Sequence, residues 1–245
     1  MQRVLVGIIT CNRWDWFNRA LESVKENTLV PFNLVIVDNS TDPDTAKRIS
    51  RLSEFVISHD YNAGWVKAAN RILRIAYACG SRWAAVLSDD LVVLKGWLRE
   101  ILDAFDERTA IVVPASANVC GFPATKEGYI EQSALPAFVA RVGALAEVGW
   151  LDEGMFMYGA DTEICLRLNE AGWRVKQIET DRIIHQFHDT RDIIDEELRK
   201  KLGDADIAKL CMRWGSREWF WWEDKVARAR ALGLEVGDEN SVSLR

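Results

Sequence analysis

Two adjacent carboxylates, Asp89 and Asp90, interrupt the apolar run from Ala84 to Val93. That run, bounded by Arg82-Trp83 and Lys95-Gly96, predicts a buried strand. Neighbouring side chains of a strand face opposite ways, so the two acids cannot both enter one core. Their place is the strand's end, where an open α/β sheet binds its ligands. A carboxylate there can hold a hard divalent cation, and the cation can neutralise a diphosphate. A strand-to-loop transition with solvated acids accounts for the same stretch, and the residues of this run do not separate the two.

Further along stand two more candidates. At 100° per residue Asp161 shares a helix face with Ile164, Cys165 and Leu168, while Glu163 points with Glu170 to the opposite, solvent-directed side. A helix N-terminus favours the ionised form of Asp161, which suits a general base, although Asp at such a position is also a common cap. Two of the three histidines, His185 and His188, end one predicted strand. His-x-x-His in an extended segment turns its rings to opposite faces, so one imidazole at most joins Asp90 on a cation. A hydrogen-bonded histidine at a strand terminus is the alternative. The run from Trp214 to Trp222 holds five aromatic residues; it reads as a sugar-stacking platform, an interfacial contact, or a helix packed on the domain.

The elements that must position these residues follow from periodicity. Val4 to Ile9, Leu34 to Val37 and Phe55 to Ser58 are apolar, β-branched strands, with helices over Trp14 to Asn27, Asp44 to Leu52 and Trp65 to Cys79 between and after them. Pro43 stands where it can open the second helix. The first half therefore reads β-α-β-α-β-α-β, a parallel sheet with helices on both faces. Polar residues collect after three strands: Thr10 to Arg13, Asp38 to Ser40, and Asp89-Asp90. The second half is predicted as a helix over Lys95 to Phe105, a strand over Ile111 to Pro114, a long loop with a hairpin over Ala115 to Gln132, and a strand over Ala137 to Arg141. A turn from Gly149 to Gly154, a helix from Asp161 to Ala171, strands over Arg174 to Ile178 and Arg182 to His185, and a helical tail complete it.

The chain has 245 residues, 49% of them hydrophobic, enough for one sizeable α/β domain. A formal charge of −6 argues against a non-specific polyanion binder but leaves room for an anionic nucleotide beside a metal or local Arg and Lys. Five scattered cysteines lack zinc-site spacing and read as free thiols of a reducing compartment. The short apolar run after Arg3 is too brief for a secretory segment, and no window approaches a membrane span. A cytoplasmic location is the expectation.

Together these pieces resemble the family 2-type glycosyltransferases, inverting enzymes of the GT-A fold in the nucleotide-diphospho-sugar transferase superfamily. The resemblance rests on Ile8 to Arg13, on Val35 to Asp42, on Asn62-Ala63-Gly64 with Ala68-Ala69-Asn70, and on Leu87-Ser88-Asp89-Asp90, which is similar to a DXD segment. It continues through Gly159 to Arg167 and Ala171-Gly172-Trp173, with a weaker echo at Met212 to Gly215. It implies an α/β, mainly parallel mixed sheet flanked by helices. A nucleotide-sugar-binding half would span 1–94, an acceptor and catalytic half 95–190, and a Trp-rich helical extension 191–245.

The same resemblance implies transfer of a sugar from a nucleotide diphosphate, UDP favoured, to a hydroxyl of a carbohydrate or other acceptor. Thr10, Asn12, Arg13, Asp38, Asn62, Gly64 and Asp89 would serve the donor, and Asp90 and His185 would bind Mn²⁺ or Mg²⁺. Asp161 would be the base, and Trp150, Glu163, Arg167 and His188 would stand on the acceptor side. Two positions depart from the pattern: Ser88 replaces the first DXD carboxylate, and Ala160 replaces the acid that commonly precedes the base. A nucleotidyltransferase is disfavoured because Thr10 to Arg13 is not a Gly-rich phosphate loop. An inactive sugar-nucleotide or glycan-binding module is the remaining alternative.

Overall fold

The computed structural model describes residues 3–59, 61–115, 124–130, 133–186 and 195–215. Strand β1 (Val4–Thr10) is buried along its whole length and carries a parallel neighbour on each side. These are β2 (Phe32–Asp38) and β4 (Trp83–Ser88), while β3 (Phe55–Ser58) runs parallel beyond β2. The order β3-β2-β1-β4 reverses direction at β1, which creates the crevice at the C-terminal strand ends where such sheets take their ligands. Register aligns those ends: Thr10 pairs with Asp38, Asp38 with Ser58, and Ile9 with Ser88.

Alternation along β1 divides the core in two. Val4, Val6 and Ile8 face α1 (Trp14–Asn27), whose Phe17, Leu21 and Val24 cover them at helical spacing. Full burial of each such side chain contributes about 1.5–3 kcal/mol. Leu5 and Ile9 face α3 (Trp65–Ala78) through Val66, Ala69, Ile72 and Leu73. Gly7 lies under this helix, and a Cβ there would stand 2.4 Å from Ile72 Cδ1, so glycine sets how closely α3 lies on the strand. The short helix α2 (Pro43–Ile49) opens with Pro43 behind the cap of Asp42, whose carboxylate accepts the Thr45 N–H at 2.8 Å.

The predicted single strand over Ala84 to Val93 is broken. It ends at Ser88, turns at Asp89-Asp90, and resumes as β5 (Leu91–Val93), which leaves the main sheet to pair antiparallel with β10 (Ile183–His185). Two adjacent acids cannot continue a strand buried on both faces, and the turn brings both to one end of it. After α4 (Trp97–Asp103), the strands β6 (Thr109–Ala115), β7 (Tyr129–Ile130), β8 (Ala137–Arg141) and β9 (Arg174–Glu179) extend the sheet in the order β4-β8-β6-β9-β7. Among the described residues the sheet thus has eight strands, mixed in direction, and it runs without a break across residue 94. Of the predicted loop and hairpin over 115–132, residues 116–123 and 131–132 lie outside the described residues, and the described β7 pairs with the distant β9.

The segment following Arg141 folds as a helix, α5 (Val142–Glu147), which periodicity did not announce. Helix α6 (Ala160–Glu170) follows the turn, and α7 (Glu196–Trp214) packs against it. The aromatic run beyond Gly215 lies outside the described residues.

Candidate active site

Where β1 and β4 end side by side, Asp89 becomes the centre of a polar cluster. The Thr10 hydroxyl donates to its Oδ2 at 2.9 Å, the Cys11 N–H to the same oxygen at 3.3 Å, and Arg13 Nη2 lies 3.9 Å from Oδ1. Burial pushes the Asp89 carboxyl up to about 6. The Arg13 guanidinium holds it down, the charge of Asp90 adds to the rise, and the two donors hold it down further. The Arg13 guanidinium is itself mostly buried, and its Nε and Nη1 have no hydrogen-bond partner among the described residues. Burial and the charges of Asp89 and Asp38 raise the Cys11 thiol to about 12, so it remains protonated and donates to the Asn39 carbonyl at 3.2 Å.

Asp90 faces His185 across the small β5-β10 sheet, Oδ2 standing 3.2 Å from Nε2. Its Oδ1 is buried with no partner among the described residues. A buried carboxylate oxygen without a donor is costly unless a ligand completes it. One carboxylate and one imidazole at the ligand edge fit Mn²⁺ or Mg²⁺, cations that take few protein ligands and fill their shell from substrate phosphates and water. Among the described residues no three or more His, Cys, Asp or Glu gather into an all-protein cation cage. His188 lies outside the described residues.

Thr10, Arg13, Asn62, Gly64, Asp89 and Asp90 line one cleft, closed on its other side by Trp65, Phe156 and Met157. Asn12 and Asp38 support that cleft from behind. Asn12 takes the left-handed conformation at φ 57°, and its Oδ1 accepts the N–H groups of Thr41 and Asp42, each at 2.8 Å. It thereby fastens the loop after β1 to the loop after β2. Asp38 is fully buried and accepts the Ser40 N–H at 2.8 Å. Asn39, which the sequence places in the polar strand end Asp38 to Ser40 without a role of its own, donates to the Gly64 carbonyl at 3.2 Å and borders the cleft.

Asp161 stands in the first turn of α6, half-buried, four residues beyond the cleft residue Met157. The reading of Glu163 as solvent-directed is overturned: it is 0% exposed. Its carboxylate accepts from Arg167 Nε and Nη2, each at 2.7 Å, and Arg213 Nη1 on α7 lies 2.9 Å away. The helical projection failed because α7 covers the face it assigned to solvent. Arg167 also donates to the carbonyls of Val148 and Trp150, so Glu163 and Arg167 brace the turn that follows α5. The Trp150 ring meets Tyr77 edge-on at 5.6 Å. Ala160 is buried in the apolar core, which accounts for an uncharged residue at that position.

The model of glycosyl transferase family 2 matches residues 5–149, more than half of the chain. The chain belongs to glycosyl transferase family 2. This family 2 chain is 29% identical over 180 residues to the pre-mycofactocin glycosyltransferase of Mycobacterium tuberculosis (strain ATCC 25618 / H37Rv), covering 64% of itself and 37% of that protein. It thus spans little more than a third of the length of the curated relatives it matches.

Among solved structures, the mannosyltransferase PcManGT from Pyrobaculum calidifontis, in complex with GDP-Man and Mn²⁺, superposes with a TM-score of 0.67 at 16% identity. That match covers 99% of this chain and 76% of the other. S. aureus TarS in complex with UDP-GlcNAc gives 0.55 at 18% identity, over 86% and 72%. At these identities the family 2 chain shares their fold. The family match carries across Thr10, Asp38, Asn62, Asp89 and Asp90, while Asp161 and His185 lie beyond its last matched residue.

Proposed function

We propose that this chain is an inverting, metal-dependent glycosyltransferase that moves a sugar from a nucleotide diphosphate to an acceptor hydroxyl. The observation that carries the reading is the Asp90–His185 pair, with a buried, unpartnered carboxylate oxygen, beside a cleft at the strand-order reversal. Arg13 and Asn62 line the part of the cleft that takes the nucleoside, and Asn12 and Asp38 hold its bordering loops. Asp89 orders Thr10 and Cys11 at the donor's edge. Asp90 and His185 would hold Mn²⁺ or Mg²⁺. When bound, the cation supplies positive charge to the departing diphosphate.

Asp161 acts as the base. The acceptor oxygen forms its bond to the anomeric carbon as the bond from that carbon to the diphosphate oxygen breaks, the electron pair leaving with the diphosphate. The hydroxyl proton passes to Asp161. Attack from the face opposite the leaving group inverts the anomeric centre. A UDP-linked donor is the form the family resemblance favours; TarS was solved with UDP-GlcNAc and PcManGT with GDP-Man, so both bases belong in the test.

Thermal unfolding with a panel of UDP- and GDP-sugars, with and without Mn²⁺, tests the reading, because a ligand selective for the native state raises the midpoint. A metal-dependent shift for one nucleotide, abolished in Asp90→Ala, is expected. Asp161→Asn should keep that shift and lose most transfer. Equal shifts without metal, or full turnover by Asp161→Asn, would contradict the assigned roles.

A further inference from the structure

Helix α7 contributes a buried carboxylate that takes no part in the proposed transfer. Asp206 is 2% exposed, and among the described residues its side chain has no cationic partner within salt-bridge distance. Three consecutive backbone N–H groups converge on it instead. Phe156 N–H donates to Oδ1 and Oδ2 at 2.9 and 3.0 Å, Met157 N–H to Oδ2 at 2.9 Å, and Tyr158 N–H to Oδ2 at 3.1 Å. Successive amides aimed at one anion form a concave nest, and charge-assisted bonds of this kind fix a backbone more firmly than neutral ones.

The clamped turn is the wall of the cleft. Phe156 and Met157 line it, and the Phe156 carbonyl accepts the Val66 N–H of α3 at 3.4 Å. Phe156 also lies so close to Gly64 that a Cβ there would stand 2.7 Å from its ring. On the C-terminal side the turn passes through Gly159, at φ 74°, which rests on Ile207 and Leu210 of the same helix. The next residues open α6 and carry Asp161. One face of α7 therefore holds both the cleft wall and the entry to the helix of the base.

We propose that Asp206 is a positioning residue: its carboxylate sets the 156–158 turn, and through it the relation of the nucleotide cleft to Asp161. The catalytic part of this inference rests on the transferase reading. The experiment compares the full chain with Asp206→Asn, which keeps one acceptor oxygen, and with Cys211→Ala. The latter loosens the packing of α7 without touching the carboxylate, since Cys211 is buried on the same helix.

Hydrogen exchange on the ligand-free protein should show the amides of Phe156 to Tyr158 opening at least tenfold faster in Asp206→Asn, with β1 and β4 unchanged. Cys211→Ala should leave the turn within threefold of wild type. With the sugar nucleotide and Mn²⁺ that give the wild type its largest thermal shift, Asp206→Asn should lower kcat at least tenfold while the nucleotide Kd stays within threefold. Unchanged exchange in Asp206→Asn would overturn the clamp and leave the transferase reading intact. An equal kcat loss in Cys211→Ala, at a matched drop in Tm, would reduce Asp206 to helix packing and overturn its positioning role. Faster exchange with kcat within twofold would do the same. If the wild type binds no sugar nucleotide, the transferase reading falls, and the positioning role falls with it.

Discussion

Gly64 is the residue on which the two walls of the cleft meet, and Gly64→Ala is a quantitative test of that geometry. Its φ of 84° and ψ of 164° lie in a region open essentially to glycine alone, so an alanine there costs about 1–3 kcal/mol of backbone strain. The new Cβ would also stand 2.7 Å from Phe156 Cδ2 and 2.8 Å from its carbonyl oxygen. The carbonyl belongs to backbone held by Asp206 and cannot swing aside as a side-chain tip would. Overpacking of that kind adds about 1–3 kcal/mol. The expected loss is therefore about 2–6 kcal/mol, with a centre near 4, and a chain of this size loses roughly 2–4 °C of Tm per kcal/mol.

Gly80→Ala is the internal control. Gly80 also has positive φ, at 68°, but its Cβ would meet nothing within 4 Å. Only the backbone term applies, about 1–2 kcal/mol. Differential scanning calorimetry of the two variants should separate them by roughly 5–10 °C at a centre-to-centre difference of about 2.5 kcal/mol. The nucleotide-induced shift should be retained by Gly80→Ala and lost or halved in Gly64→Ala. Equal Tm values for the two variants would refute the claim that Phe156 is backed by a rigid turn.

Other expectations are open to direct measurement. Asn12→Ala removes the acceptor of the Thr41 and Asp42 N–H groups and puts alanine at a φ of 57°, so it should weaken nucleotide binding by roughly tenfold with a loss of about 2–4 kcal/mol, read by calorimetry. Glu163→Ala leaves the mostly buried Arg167 unpaired and should cost about 3–5 kcal/mol, whereas Arg213→Ala, at a half-exposed partner, should cost about 1 kcal/mol or less; equal losses would argue against the buried pair. With its thiol at about 12, Cys11 has about one molecule in ten thousand ionised at pH 8, so iodoacetamide should label the exposed Cys79 well before Cys11 by peptide mapping. Raising the pH from 7 to 9 should increase Cys11 labelling in proportion to hydroxide; rapid labelling at pH 7 would mean the thiol is not held protonated as described.

The first half of the fold was legible because local signals and the global arrangement agree. Continuous apolar β-branched runs, amphipathic helices and polar strand ends gave β1 to β4 with α1 to α3, and the strand-end rule then located Thr10, Arg13 and Asp89-Asp90 at one crevice. An imidazole beside Asp90 is already an option on residue chemistry, but the choice of His185 over His188 comes from the family resemblance, since Asp90 and His185 lie 95 residues apart and no local pattern joins them. The break at Asp89-Asp90 was visible as a clash of charge with apolar run, though not the departure of β5 into a second sheet.

The second half was less legible because its determinants are contacts between distant segments. Glu163 shows the limit: a helical projection sees the residue's angle but not the element that later covers it. Its angle was read as solvent, yet Arg167 lies one turn on, the spacing at which Glu followed by Arg stabilises a helix. That i,i+4 pair was the available signal, and it holds whether the face is exposed or covered. What decides between the two is α7, whose Arg213 meets the same carboxylate and whose Asp206 receives the turn before α6. A buried Asp with only backbone donors leaves no partner residue in the sequence to reveal it. Asp206 thus lay beyond any reading of spacing, since its partners are peptide groups that every residue but proline carries.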